Sequence, residues 1–471
     1  MLTKIIATIT EHYDEQKLID IYQAWVNVVR INFTHSTPAA AKPIIEKVHK
    51  LNGTKEINLS ILLDTKWPEI RSGVRDEKLI VKKNQKIKIF IDESKVDSVS
   101  DLFCDYQDIL SDVQVGQEII IDSWLLIVVV EEICDDHLVV NALSDAEIGS
   151  KRHINLPGVI LSLPALIDKD KEDILFGIWA WISFVAASFV RTAENVEEIR
   201  KFLDDNWWTH IKIISKIESK QAMDNLEWIV KLSDWVMVAR WDLGIELPIH
   251  QLPTYQKAIL DMCFVYGKPV IIATELLKSM VNNPFPTRAE VSDVYNSVIQ
   301  RADAVMLSDE TTIWKYPIKT IEYMKKVVQE AEKVTNNKHK DFQLQATDEF
   351  NFLKKAIARH ALMLADEIKA KMVVVFSYTW NLARYMSAFK PNQPIISFTT
   401  DENVYRSLEL NYGILSEKID QRWKQSTDNQ EIAIKILKSK WMIKKWDYIV
   451  VIWERIYNDV HQQQIRIVPV D

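Results

Sequence analysis

Glycine is almost missing from this chain. Nine glycines stand among 471 residues, where ordinary usage of about 7% would give roughly 33. Cysteine is scarcer still: Cys104, Cys134 and Cys263 are odd in number, far apart and without a CxxC pair. That argues against a disulfide framework or a zinc cage and makes a reducing compartment the expectation. Long apolar runs are lacking too. The strongest in the first half, Leu125–Val130, is far too short to span a bilayer. Met1–Thr10 has no basic start, long apolar stretch or cleavage site, so it reads as a strand rather than a signal peptide. A cytoplasmic location is expected. Positive charge is not in excess: 58 Lys and Arg against 66 Asp and Glu give −8 at pH 7. This argues against a general nucleic-acid or anionic-membrane binder, while leaving room for a local basic pocket.

What is present is an ordinary globular mixture, 48% hydrophobic and 26% charged, long enough for several domains. Apolar, β-rich runs recur at Lys4–Thr8, Asn27–Phe33, Leu59–Asp64, Phe184–Val190, Ile211–Ile217, Trp235–Arg240, Pro269–Thr274 and Asp303–Leu307. Amphipathic segments such as Val196–Asp205 and Arg288–Ala302 separate the later ones. Buried strands alternating with helices indicate parallel βαβ units, and eight of them predict a closed (β/α)₈ TIM barrel, an α/β fold, over 1–71 and 158–335. Between the third and fourth runs, 72–157 is rich in short β runs and turn residues. It predicts an inserted small β-barrel domain over the active face, a lid. A polar linker, Asn336–Glu349, precedes a renewed helix–strand pattern. That pattern predicts a C-terminal open α/β domain over 350–471.

Barrel enzymes carry their chemistry where strands end. Lys216 and Glu218 lie two residues apart at the end of the fifth run, hence on one side of an extended chain. Asp242 follows the sixth. Glu218 and Asp242 suit a hard divalent cation such as Mg²⁺, and a neighbouring ammonium would stabilise a phosphoryl group in transfer. The same residues would also serve as a rim salt bridge. Arg30 and Arg71 are shaped to grip phosphate. Asn32, Thr34, Asp64 and Thr65 offer only oxygen ligands, suited to a hard cation of low charge density, or else are solvated loop polarity. Thr274 ends the seventh run, placed to bond a substrate carboxylate, relay a proton or cap a helix.

With these residues goes a resemblance along nearly the whole chain. The runs NVVRINFTH (27–35), LLDTKWPEIRSG (62–73), NLPGV (155–159), ASFVR (187–191), IKIISKIES (211–219), VMVARWDLGIELP (236–248), NPFPTRAEVSDV (283–294), ADAVMLSDET (302–311) and KYP (315–317) resemble the pyruvate kinases. The resemblance implies phosphoryl transfer from phosphoenolpyruvate to ADP, with Mg²⁺ (or Mn²⁺) and K⁺ as cofactors, in a homotetramer with no nucleic-acid or membrane partner. It implies Lys216 as the lysine stabilising the phosphoryl group, and Glu218 and Asp242 as divalent-metal ligands. Asn32, Thr34, Asp64 and Thr65 become the monovalent-cation site, with Glu69 linked to potassium dependence. Arg71 and Thr274 join the catalytic set, Thr274 near the substrate carboxylate and the proton path. Arg30, His35, Thr274, Trp241 and Asp242 contact substrate or nucleotide. A different barrel enzyme forming an enolate from phosphoenolpyruvate is opposed by the inserted β segment and the run PTRAEVSDV.

The departures are mostly of one kind. Tryptophan stands where the family has glycine at Trp25, Trp67, Trp181, Trp235, Trp241, Trp314, Trp380, Trp446 and Trp453. Glycine tolerates positive φ and close backbone approach, whereas an indole at 241 would crowd Asp242. Tryptophan (16) and glycine (9) together come to 25, much nearer the expected glycine count. The expectation is that UGA codons encode glycine in the source and are written here as tryptophan. The alternative is literal tryptophan, and an inactive pyruvate-kinase-like binding subunit. Asp309, Ser36 and Glu275 also depart from the family pattern, as does Thr10-Glu11-His12, which follows the first strand. Ser377-Tyr378-Thr379-Trp380-Asn381 is a loose match to the family's effector loop.

Overall fold

The computed structural model describes residues 1–471 apart from 67–68, 98–99, 313–314, 336–348, 377–379, 420–425 and 458–459. Trp67, Trp314, Ser377–Thr379 and nearly all of the expected linker lie outside the described residues. All eight apolar runs form strands: β1 (Lys4–Thr8), β2 (Val28–Asn32), β3 (Ser60–Asp64), β4 (Phe184–Ala187), β5 (Lys212–Ile217), β6 (Trp235–Ala239), β7 (Val270–Ala273) and β8 (Ala304–Leu307). Each pairs in parallel with its neighbours in sequence, and β8 closes on β1. Period-two alternation divides the strand side chains. Ile6, Val28, Leu62, Phe184, Ile214, Trp235, Met237, Ile271 and Met306 fill the barrel. Ile5, Ala7, Val29, Ile31, Ile61 and Leu63 face the outer helices. Both strand faces are therefore apolar, as in other parallel barrels.

After β3 the chain leaves the barrel and enters a separate β-rich domain. Its main sheet has six strands, centred on Leu126–Ile133 and His137–Ala142. Leu79–Val81 and Ala146–Ile148 form a further antiparallel pair. Ile87, Ile89, Val128, Val130, Leu138 and Val140 make the domain's own apolar core. The antiparallel bridge Arg71–His153 joins its outgoing and returning chains. Because the departure point follows the C-terminal end of β3, the domain stands over that face of the barrel.

The C-terminal domain has a five-stranded sheet with helices on both faces. It is parallel except for the final hairpin, Tyr448–Tyr457 with Val460–Pro469. It docks on the opposite, N-terminal face of the barrel. Lys4, the first residue of β1, donates to the Ile414 carbonyl at 2.5 Å. Ser60, the first of β3, donates to the Arg406 carbonyl at 2.9 Å, and Leu410 packs into the barrel's base. Lys390 meets Asp303, just before β8, in a buried ion pair at 2.5 Å. Burial pushes the Asp303 carboxyl up and the Lys390 ammonium down, while each partner opposes that shift in the other. Lys390→Met would leave Asp303 buried without its cation. Urea unfolding is expected to show a loss of about 3–5 kcal/mol. An unchanged midpoint would mean that the pair does not hold the two domains together.

Candidate active site

The C-terminal ends of β3, β4, β5 and β6 bring one polar cluster together. β3 ends at Asp64, β5 supplies Lys216 in its last turn of pleat, Glu218 follows β5, and Asp242 lies in the first turn of the helix Arg240–Glu246 after β6. Lys216 Nζ is 2.9 Å from Glu218 Oε1 and 3.4 Å from Asp64 Oδ1. It also donates to Ser188 Oγ at 2.7 Å. Burial alone would depress the ammonium, but Asp64, Glu218 and Asp242 outweigh it, and its pKa lies above the usual lysine value. Lys216 therefore stays charged throughout the physiological range.

Asp64 also accepts from Arg30 Nε at 2.7 Å and Ser188 Oγ at 3.2 Å. Burial alone would raise its pKa, but Lys216 and Arg30 hold it below the ordinary carboxylate range. Glu218 is fully buried and accepts from the Phe189 amide at 2.5 Å. Burial, with the nearby Asp242 charge, pushes its carboxyl up to about 7 against the pull of Lys216. Asp242 is raised as well, first by burial and then by Glu69 and Asp64. With Asp64 matched by Arg30, one ammonium is left against the carboxylates of Glu218 and Asp242. That shortfall of positive charge, in an all-oxygen donor set, fits a hard divalent cation. Among the described residues no group of three or more His, Cys, Asp or Glu side chains is arranged as a metal cage. A cation here would therefore draw further ligands from water or substrate.

The second set of sequence candidates lies beside the first. Asn32 and Asp64 are neighbours in the β2–β3 register, and the Phe33 amide donates to the Asp64 carbonyl at 2.9 Å. Asn32 Oδ1 accepts from the Thr34 amide at 3.1 Å. Thr65 Oγ1 donates to the Ala186 carbonyl at 3.2 Å, and Ser188 bridges Asp64 and the Thr65 carbonyl. Arg30 and His35 line a cavity of about 290 Å³ with Asn32, Ser36 and Asp309. Arg71 stands where the chain enters the β-rich domain, paired with Glu69 (Nε–Oε2 2.9 Å) and 3.0 Å from His153 Nε2.

Thr274 follows β7 with φ of 67°, and Glu275 with 56°. Thr274 caps no helix, since the next helical turn, Lys278–Val281, begins after Leu277. Its hydroxyl donates to the Ala273 carbonyl at 2.7 Å and accepts from the Trp241 amide at 3.0 Å. The Trp241 side chain is 45% exposed. Arg240 holds this corner, donating to the Thr274 carbonyl and pairing with Asp293, both at 2.7 Å. Sequence reading assigned no role to Ser188 or Arg240. Both stand at strand ends, so the rule that found Asp64 and Thr274 applied to them as well.

At the far end of the Asp242 helix, Glu246 sits 3.5 Å from Asn155 Nδ2 on the chain returning from the β-rich domain. Burial pushes its carboxyl up to about 7 from 4.5. A raised carboxyl binds its proton more tightly folded than unfolded. Stability should therefore fall as pH rises from about 4.5 to about 7, by up to about 3 kcal/mol, and stay low above that. Glu246→Gln is expected to remove this slope and raise the melting temperature at pH 8. An identical pH–stability curve for the variant would contradict this.

Comparison with known proteins shows the family. Residues 1–321 match the family model for the pyruvate kinase barrel domain, and residues 355–463 that for the pyruvate kinase alpha/beta domain. The Clostridium acetobutylicum pyruvate kinase is 36% identical over 414 residues, covering 88% of this chain and 87% of that one. The Borreliella burgdorferi pyruvate kinase is 33% identical over 455 residues, covering 96% and 93%. The crystal structure of a pyruvate kinase from Cryptosporidium parvum superposes with a TM-score of 0.93 at 30% identity, covering 100% of this chain and 96% of that one. With matching family models over most of its length and a barrel mouth of this composition, the chain belongs to the pyruvate kinase family.

Proposed function

We propose that this barrel mouth moves a phosphoryl group from phosphoenolpyruvate to ADP, with Lys216 as the charge that stabilises it in transit. The observation that carries the reading is the convergence of Lys216, Glu218 and Asp242. In the forward direction the ester P–O bond of phosphoenolpyruvate breaks, a terminal ADP oxygen forms the new P–O bond, and the enolate left behind takes a proton at carbon. A Mg²⁺ or Mn²⁺ held by Glu218 and Asp242 would supply Lewis-acid stabilisation of the enolate and phosphoryl oxygens. Lys216, always charged, would face the equatorial phosphoryl oxygens. Arg30 and Arg71 would bind phosphate, and His35 would contact nucleotide. The Trp241 amide and Thr274 would meet the substrate carboxylate, with the Thr274 hydroxyl on the path of the enolate's proton. A K⁺ would be held by the oxygens of Asn32, Thr34, Asp64 and Thr65.

The test is an assay following pyruvate and ATP together, with ADP, Mg²⁺ and K⁺ present or singly withheld. Equal pyruvate and ATP, dependent on both ions, is expected. Phosphoenolpyruvate consumption without ATP would overturn the reading. The same reading carries a cytoplasmic homotetramer, which sedimentation checks. Among the described residues no helix is long and apolar enough to cross a membrane.

A further inference from the structure

Helix ends supply evidence on the tryptophans that does not depend on the active site. The helix Glu15–Gln23 closes with Trp25 donating to the Tyr22 carbonyl and Val26 to the Ile21 carbonyl. Trp181 and Ile182 repeat this pair of bonds onto Ile178 and Gly177, Trp207 and Trp208 onto Asp204 and Leu203, and Trp441 and Met442 onto Lys438 and Leu437. Each is a Schellman closure, in which the residue after the cap turns left-handed and is usually glycine. The φ angles of Trp25, Trp181, Trp207 and Trp441 are 91°, 54°, 68° and 58°. Gly267 closes the helix Leu252–Tyr266 by the same two bonds, with φ of 64°.

Two tight turns agree. In Lys444–Asp447, closed by the Asp447 amide on the Lys444 carbonyl, Trp446 is third with φ of 76° and Lys445 is not left-handed. That is the glycine position of a type II turn. In the hairpin turn Asp122–Leu125 of the β-rich domain, Ser123 and Trp124 have φ of 52° and 78°. That is a type I′ turn, whose third residue is preferentially glycine. The indoles gain little from these places: Trp207 and Trp441 are more than nine-tenths exposed. Where tryptophan is buried, at Trp235 and Trp453, the indole N–H has no hydrogen-bond partner, although a buried indole usually finds one.

We infer that positions 25, 124, 181, 207, 441 and 446, together with 235 and 453, are glycine in the protein made by its source cell. Their codon is one, such as UGA, that the source reads as glycine and the written sequence renders as tryptophan. Lys55, Arg301 and Lys369 make the same left-handed closure, so it is the recurrence of the bulkiest side chain at four such ends, and in both turns, that points to glycine. One residue type occupies four helix closures and two turn types whose left-handed backbone favours glycine. The same decoding would remove an indole beside Asp242.

Tandem mass spectrometry of the protein purified from source cells tests the inference by reading these positions directly. Glycine at all eight is expected; decoding of all sixteen tryptophans in this way would make the chain lighter by about 2 kDa. Tryptophan at the six turn and helix-end positions would overturn the inference. A second arm expresses two chains from unambiguous codons, one as written and one carrying Trp25→Gly, Trp181→Gly, Trp207→Gly and Trp441→Gly. The glycine chain is expected to melt higher by about 2–4 °C for each site, or to accumulate where the written chain does not. Equal or lower melting would count against the inference. Neither arm depends on turnover, so its failure is distinct from failure of the catalytic reading.

Discussion

Lys216→Met is expected to lower kcat by about 10³- to 10⁵-fold while divalent-ion affinity is retained. The magnitude is that of a fixed cation facing a transferring phosphoryl group in a site shielded from water. The geometry makes Lys216 the natural source of that charge, since it is buried, ion-paired to Glu218 and Asp64, and oriented by Ser188. Methionine keeps most of the volume and removes the charge. Ion-free protein should lose about 3–5 kcal/mol, because Glu218 is left without its ammonium. A divalent ion should restore part of that loss, since the carboxylates that hold it remain. Mn²⁺ titration alongside kcat separates the two effects. Loss of turnover together with loss of Mn²⁺ binding would mean that Lys216 organises the metal site rather than acting on the phosphoryl group.

Asp242→Asn should have the opposite profile. Turnover is expected to fall by about 10²- to 10³-fold, with the Mg²⁺ needed for half-maximal rate rising steeply, because one of two anionic ligands is lost. Ion-free protein should be as stable as the parent or more so. Burial and the neighbouring Glu69 and Asp64 already oppose the Asp242 charge, and the isosteric amide removes it. A variant that loses activity because it unfolds would contradict this. So would one whose metal dependence matches the parent's.

The eight barrel strands were legible because each is a run of apolar residues long enough to be buried on both faces, as Ile5-Ile6-Ala7 and Ile213-Ile214 illustrate. The strand-end rule singled out Lys216, Glu218, Asp242, Asp64 and Thr274 as candidates. The strands Leu79–Val81, Leu102–Phe103 and Ala146–Ile148 of the β-rich domain were not legible, since two or three residues show no periodicity. The strand Ile414–Lys418 ends in charge, and the last hairpin strand carries three consecutive glutamines, so neither reads as a buried run. The Arg240–Asp293 pair spans 53 residues and follows from barrel closure, which no local pattern encodes. The Glu246–Asn155 contact likewise depends on how the chain returns from the β-rich domain to the barrel. A threonine in the place of Thr274 is more often a helix cap, and what excludes that here is the start of the next helical turn after Leu277.

Soaking crystals with Mn²⁺ and phosphoenolpyruvate, and collecting data at the manganese absorption edge, addresses the site itself. The expected result is one strong anomalous peak within bonding distance of both the Glu218 and Asp242 carboxylates, with the Lys216 ammonium next to the phosphoryl oxygens. A peak elsewhere, with those two acids still turned toward each other around bare protein, would contradict the proposal that this barrel mouth is built to hold a metal ion against a phosphoryl group.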